Sequence, residues 1–241
     1  MIDYEKMVED LYIAVLRPGD IAIDCGAHQG RHTVPMARAV GSEGKVFAFE
    51  PLGPIFSKLK QALEGHPNVL AENIALGETE TVASFVYVPE FPEYSGFKER
   101  IYHDQNIARQ VIEVKVRRLD EVVTTKNLRY IKIDAEGGDL QILRGATGLI
   151  DKARPIITFE MGDNALINFD YGAADFFDFF AQRRYRLFSI TGLPMNRTKL
   201  IENSAKQTFW DYVACPEELV GILPFKPPAR TIWTTLKGLF R

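Results

Sequence analysis

An α/β fold, with a mainly parallel sheet of seven strands, helices on both faces and one inserted β-hairpin, follows from three features of the sequence. Short apolar runs at 21–24, 45–50, 128–134 and 155–162 alternate with segments of helical periodicity. Such alternation builds parallel strands joined by crossover helices. A glycine-containing turn follows the first run, at Gly26 and Gly30. Two β-branched, aromatic runs, 81–88 and 111–119, interrupt the alternation and read as strands that pair with each other.

The elements take their places in order. Residues 2–16 read as a lead-in helix, closed by Arg17-Pro18-Gly19-Asp20. After the 21–24 strand comes a helix over 31–40. Pro35 is tolerated near its start, where backbone N–H groups have no partner. The 45–50 strand leads to a helix over 51–63, with Pro54 at its start and Ile55, Leu59 and Leu63 on one stripe. A third short strand falls within 68–76. Residues 89–110 form a polar insertion inside the hairpin, and loops of that length are often functional. Beyond the 128–134 strand, a helix over 138–150 places Leu140, Leu143 and Ala146 together. Phe176, Phe177 and Phe180 share the core face of a helix over 173–184. Runs at 185–190 and 208–215 close the sheet.

At 241 residues the chain suits one sizeable α/β domain over 1–222, followed by a Pro-rich linker and short tail, 223–241. It is 46% hydrophobic and 25% charged, with a formal net charge of −3. A nucleic-acid binder would carry a basic excess, so none is expected as a partner. The arginines at 117, 118, 183, 184 and 186 read as solvated faces. Two cysteines, Cys25 and Cys215, make neither a metal set nor a disulfide framework, and a reducing cytoplasm is the expected home. The acidic first ten residues do not read as a signal peptide, and no apolar run is long enough to span a bilayer.

Ligands of open parallel sheets collect beyond the carboxyl ends of the strands. Those ends carry Asp24, Glu50, Asn73, Asp134 and Glu160, four of them carboxylates. Gly26 allows a tight turn and close approach of a ligand to the main chain, and Gly30 allows close packing as the helix begins. Glu50 closes the second strand, where nucleotide-binding sheets place an acid to accept from ribose hydroxyls. The dinucleotide fingerprint G-x-G-x-x-G is absent, and an acid at Asp24 would sit badly beside a pyrophosphate. Asp24 and Glu50 suit S-adenosylmethionine (SAM), which has a ribose, an ammonium and a sulfonium and no phosphate.

The runs IDCGAHQGRHT, KVFAFEP, ENIALG and RRLDEV, with YIKIDAEGGDLQILRGA followed by RPIITFE, resemble the FkbM-type SAM-dependent methyltransferases across residues 20–162. The resemblance implies a Rossmann-like class I methyltransferase fold. It also implies O-methylation of a hydroxyl on a small molecule or glycan, such as a sugar or polyketide-type product. By match to the motifs, Asp24, Gly26, Ala27, Gly30 and Glu50 would hold SAM, with His28, Thr33, Pro51 and Ile74 beside them and Asn73 near the adenine. Lys132, Asp134 and Glu136 would face the acceptor. Two departures stand out. Asp139 occupies a place where the family usually has Glu, and His28 one where a smaller or amide residue is common.

Methyl transfer needs an acceptor oxygen held in line with the methyl carbon, and a base to take its proton. Asp134 is the first candidate base, Glu160 the second and Glu136 the third, with Lys132 neutralising and orienting them. The alternative for Asp134 is to cap the following turn and hold the SAM amino group. No metal is assigned. Asp134, Glu136, Glu160 and Asp163 are an alternative oxygen set for Mg²⁺, which is not favoured. Tyr87, Tyr94, Tyr102 and His103 are open as acceptor contacts. In the tail, Ile232, Trp233, Leu236 and Phe240 fall on one helical side and Arg230, Lys237 and Arg241 on another. That pattern fits packing on its own domain or on a second subunit of a homo-oligomer, and less well a membrane surface. The rival functions are an NAD(P)-dependent oxidoreductase and a non-catalytic SAM-binding protein.

Overall fold

The computed structural model describes residues 3–99 and 106–225. The tail helix pattern and residues Tyr102 and His103 lie outside the described residues. The large sheet holds β1 (Ile21–Cys25), β2 (Lys45–Phe49), β3 (Val69–Glu72), β7 (Leu128–Ile133), β8 (Ile156–Glu160), β9 (Tyr185–Ser189), β10 (Pro194–Met195) and β11 (Asp211–Pro216). Its order is β10-β9-β11-β8-β7-β1-β2-β3. Strands β3, β2, β1, β7 and β8 run parallel, and β11 runs antiparallel between β8 and β9. The expected seven strands are therefore present. The eighth, β10, is a two-residue edge pairing with β9 that is too short to leave an alternation in the sequence.

The inserted hairpin is β5 (Thr81–Tyr87) against β6 (Gln110–Arg117), antiparallel over seven residue pairs. With β4 (Ala75–Leu76) it makes a second, three-stranded sheet. The third run of the sequence thus divides. Its first half joins the large sheet as β3 and its second half crosses to the small one.

Helices α1 (Tyr4–Val15), α2 (Thr33–Val40) and α3 (Gly53–Ala62) follow the expected order. The α1 N-cap is Asp3, whose side chain accepts from the Lys6 N–H, and Val8, Leu11, Tyr12 and Val15 are its buried face. A short turn, α4 (Leu119–Val122), precedes β7. The single helix expected over 138–150 is two, α5 (Asp139–Gly145) and α6 (Thr147–Ala153), with a break at Ala146. Gly145 explains the site of the break. A Cβ there would lie 2.0 Å from the Gly77 carbonyl oxygen, so the helix turns where it meets the β4 end. Leu140, Leu143 and Ala146 are fully buried as expected.

Beyond β8 come α7 (Asp163–Leu166) and α8 (Ala173–Gln182). Phe176 and Phe180 are fully buried and pack on Phe159, Phe176 stacked with ring centroids 5.4 Å apart. Phe177 is only partly buried, and Phe179 takes the third core position. Helix α9 (Arg197–Lys206) has no counterpart in the sequence reading, because it buries only Leu200 and Ser204 and shows almost no apolar stripe. Its start is nonetheless encoded: Asn196 caps it by accepting from the Lys199 N–H at 2.9 Å. Among the described residues, no helix is long and apolar enough to cross a membrane.

Candidate active site

The first strand delivers Asp24 into the interior, fully buried, where Thr33 donates to its Oδ2 at 2.6 Å. The chain then turns sharply. Gly26 has φ +79°, and a Cβ there would stand 1.9 Å from the Asp134 carbonyl oxygen, so only glycine lets the β1 and β7 ends approach this closely. Gly26 and Ala27 both donate N–H groups to the Phe49 carbonyl, at 3.0 and 2.9 Å, and Asp134 N–H donates to Cys25. The turn is thereby tied to both neighbouring strands. Gly30, also left-handed, packs its backbone near Leu59 of α3.

Glu50 sits just past β2 and is buried. Its Oε2 accepts from the His28 N–H and its Oε1 from the Leu52 N–H, each at 2.9 Å. Burial pushes the carboxyl up to about 7, and the two backbone donors offset only part of that. Each carboxylate oxygen keeps a further lone pair for a ligand donor. His28 holds a left-handed backbone, φ 47°, a region His enters more readily than most residues. Burial also pulls its imidazole down, toward the neutral form. Asn73 donates to the backbone oxygens of Glu50 and Pro51 at 2.8 and 2.9 Å, so it braces this corner from behind.

The ends of β7 and β8 carry the second group. Lys132, 5% exposed, places Nζ 2.9 Å from Asp134 Oδ2 and 3.9 Å from Asp24 Oδ1. Burial pulls the ammonium down, but the two carboxylates outweigh it and the pKa rises. Burial raises the Asp134 carboxyl, and Lys132 more than reverses this. Glu160 goes the other way. Burial and the nearby charges of Glu136, Asp134 and Asp211 push it well above the carboxylate range. The two carboxyls are hydrogen-bond partners, and their opposite shifts make Glu160 the favoured seat of the pair's proton.

Oxygen atoms of Asp134, Glu136 and Glu160 fall within 4.8 Å of one another. Asp163 does not join them, since its side chain accepts from Ser204 of α9. Lys132 already supplies the positive charge at Asp134, and the arrangement reads as a proton-sharing pair held by an ammonium.

One cavity opens on both groups. Gly26, Ala27, His28, Glu50, Pro51, Ile74, Lys132, Asp134 and Glu136 lie on its wall, whereas Asp24, Gly30, Thr33, Asn73 and Glu160 stand behind it. Outside the insertion, three polar wall residues escape sequence reasoning: Glu5 of α1, Arg31 and His32. His32 Nε2 lies 2.5 Å from Glu5 Oε2, and its Nδ1 lies 3.2 Å from the buried Tyr12 hydroxyl. The lead-in helix therefore supplies part of the site. From the insertion come Pro92, Glu93, Ser95 and Phe97, and Phe85 comes from β5. Tyr87 and Tyr94 do not line the cavity. Cys25 does, but burial drives its thiol far up, away from any nucleophilic role.

A glycine turn after β1, an acid closing β2 and one antiparallel strand set between β8 and β9 make the fold that of the class I SAM-dependent methyltransferases. Residues 24–187 match the family described as the Methyltransferase FkbM domain, and the chain belongs to that family. Methyltransferase 1 of Beauveria bassiana is 27% identical over 164 residues, 60% of this chain and 66% of that protein. The AMB antimetabolite synthetase AmbE of Pseudomonas aeruginosa is 27% identical over 194 residues, 64% of this chain but 9% of that far longer protein. The chain thus spans less than two thirds of either relative.

Solved structures share the fold. The FkbM methyltransferase of Methylobacillus flagellatus superposes with a TM-score of 0.51 at 16% identity, covering 89% of this chain and 55% of that one. SMU.1697c of Streptococcus mutans, solved with S-adenosylhomocysteine (SAH), gives 0.50 at 13%, covering 89% and 98%. A Clostridium thermocellum protein assigned as an rRNA methylase gives 0.52 at 13%, covering 89% and 94%. The dehydrogenase alternative falls with the family assignment.

Proposed function

We propose that this protein transfers the methyl group of SAM to a hydroxyl oxygen of a small molecule or glycan. The observation that carries the reading is the clustering of the Asp134, Glu136 and Glu160 carboxyls, with Lys132 2.9 Å from Asp134, at the cavity that Glu50 also lines. The residues fit the cofactor. Glu50 is anchored by two N–H groups with lone pairs left for ribose hydroxyls, and the missing side chain of Gly26 leaves the turn open to a close approach. Ile74 and Pro51 are apolar surfaces for the adenine, and Gly30, Thr33, Asp24 and Asn73 hold the turn in shape from behind.

When bound, SAM supplies an electrophilic methyl carbon on a sulfonium. Asp134 faces the acceptor hydroxyl and takes its proton as the oxygen–carbon bond forms and the carbon–sulfur bond breaks. SAH and the methyl ether are the products. The released proton joins the Asp134–Glu160 pair, and Lys132 keeps Asp134 ionised until that moment. Glu136 and His28 contribute to orienting the acceptor. No metal step is invoked, because Lys132 supplies the positive charge beside Asp134.

Charge favours an uncharged or cationic acceptor over a nucleic acid. Glu5, Glu50, Glu93, Asp134 and Glu136 line the cavity against two cations, Arg31 and Lys132, both paired with acids. The surface arginines are paired too: Arg117 with Glu80, Arg118 with Asp120, Arg183 with Asp151, and Arg184 and Arg186 with Glu217. Phosphate contacts dominate nucleic-acid affinity, and these groups are poorly placed to make them.

The test is incubation with methyl-labelled SAM and separate panels of polyols, glycans, amines and RNA. The label should appear as an O-methyl ether in the polyol or glycan panel. Label on nitrogen, carbon or RNA would overturn the reading. SAH binding without turnover on any panel would favour the non-catalytic alternative.

A further inference from the structure

The ends of β7 and β8 need something to hold them once their ladder stops. The last registered pair of these parallel strands is Ile133 with Phe159. The following N–H groups, on Glu160 and on Ala135 past the turn of the chain, find no strand partner across the gap. Asp139 fills it. Its Oδ1 accepts from the Glu160 N–H at 3.0 Å, and its Oδ2 accepts from the Ala135 N–H at 3.1 Å. The side chain is fully buried at the first residue of α5. One carboxylate thus spans two strand ends, one bearing Glu160 and the other placing Asp134 immediately before Ala135.

We propose that Asp139 is a positioning residue whose carboxylate sets Glu160 against Asp134, and that the sharing of a proton between them depends on it. The proposal rests on the reading of Asp134 and Glu160 as the acceptor's proton site. Two acceptor oxygens in one rigid group are required. An asparagine offers one, and its NH₂ would face a backbone N–H. Gly137 is what brings Asp139 to this place. It sits at φ +94°, and a Cβ there would stand 2.6 Å from the Ala165 carbonyl oxygen, so the turn from Asp134 to α5 has little freedom. Burial of a carboxylate without a counter-ion is costly, and burial with Asp134 nearby pushes Asp139 up to about 7, with its two N–H donors opposing this.

The groups around the pair are Lys132, Glu136, Asp139, His32 and Asp211, the last registered opposite Glu160 on β11. Carboxyl ¹³C spectra of the full chain labelled at Asp and Glu, titrated with SAH bound, read the pair directly. Asp134→Asn and Glu160→Gln assign its two resonances. In Asp139→Asn, the gap between the two midpoints should shrink by at least about half a pH unit. Exchange at the Ala135 and Glu160 amides should rise roughly tenfold or more, with SAH affinity by calorimetry kept within about threefold. Asp139→Glu retains both oxygens and should restore the gap.

An unchanged gap in Asp139→Asn would overturn the proposal, and so would equal loss of the gap in Asp139→Asn and Asp139→Glu. Should Asp139→Asn not fold, Asp139→Glu decides alone: a folded, SAH-binding protein with a collapsed gap sinks the idea. Failure of the underlying reading looks different. Asp134→Asn would then retain methyl transfer, whatever Asp139 does to the pair.

Discussion

Asp24 and Lys132 are partners in register across β1 and β7, and their side chains meet on one face, Nζ to Oδ1 at 3.9 Å. Both are almost wholly buried, and Lys132 also serves Asp134. One ammonium therefore balances a fully buried carboxylate, Asp24, and a half-buried one on the cavity wall, Asp134. Removing Lys132 leaves the Asp24 charge with neither water nor counter-ion, which costs about 3–5 kcal/mol. We expect Lys132→Met to lose about that much in urea unfolding at neutral pH. Lys132→Arg, which keeps the charge in a larger head, should recover part of it. A loss below about 1 kcal/mol, the range of exposed pairs, would show that the three groups are not coupled.

Gly26 gives a sharper contrast. A Cβ there meets the Asp134 carbonyl oxygen at 1.9 Å, whereas Gly65, with a similar φ of +86°, has nothing within 4 Å. Gly65→Ala should cost only the backbone term, about 1 kcal/mol. Gly26→Ala must also push β1 from β7, and we expect a loss on the order of 3 kcal/mol or more together with SAH binding too weak to measure by calorimetry. Equal effects at the two positions would refute the close approach as the reason for glycine.

How far the site can be read from the sequence depends on whether a residue's role is local. Asp24, Glu50, Asp134 and Glu160 are legible as strand-end carboxylates because strand–helix alternation fixes where strands end. The hairpin 81–88 with 111–119 is legible because its alternation survives on both strands. Glu5 is not, since an acid in the first turn of a helix is expected for the helix dipole alone. His32 and Tyr12 are twenty residues apart, and only the packing of α1 brings them together. Asp139 is conspicuous in the sequence only as a residue one methylene short of the family's usual Glu. That its carboxylate spans Ala135 and Glu160 is a tertiary fact. Helix α9 is missed for the reason that makes it a surface helix: it has one buried leucine and no stripe.

Ligand binding should depend on pH through Glu50. Its carboxyl is raised to about 7 from an ordinary 4.5. The folded chain holds this proton after the unfolded chain has released it. Its contribution to stability is full below about 4.5 and lost as pH rises through about 7. Ligand affinity runs the opposite way, since the ionised form is the one that accepts from ribose hydroxyls. We expect SAH affinity to rise by up to about tenfold per pH unit below 7 and to level off above it, with proton release on binding. Calorimetry in two buffers of different ionisation enthalpy measures that release. Glu50→Gln should bind weakly and without the slope. A slope that persists in Glu50→Gln would place the proton on another group.

The relay behind Glu5 is testable by a change of one atom. Burial lifts the Tyr12 hydroxyl far above its ordinary range, so it stays protonated, and we expect it to donate to His32 Nδ1. The expected tautomer then carries its proton on Nε2, directed at Glu5 Oε2. The hydrogen bond from His32 in turn pulls the Glu5 carboxyl down. Tyr12→Phe keeps the ring that packs on Tyr130, at a centroid distance of 5.6 Å, and removes only the hydroxyl. It leaves one buried nitrogen without a partner, which costs about 1–2 kcal/mol. His32→Leu should cost more, because it strips Tyr12 of its partner and leaves Glu5 with Arg31 alone. In ¹⁵N spectra of the imidazole, the wild type should show an Nε2–H tautomer, and Tyr12→Phe a mixture. A single Nδ1–H tautomer in the wild type would mean that Tyr12 accepts, and that Glu5 is held by something other than this chain of donors.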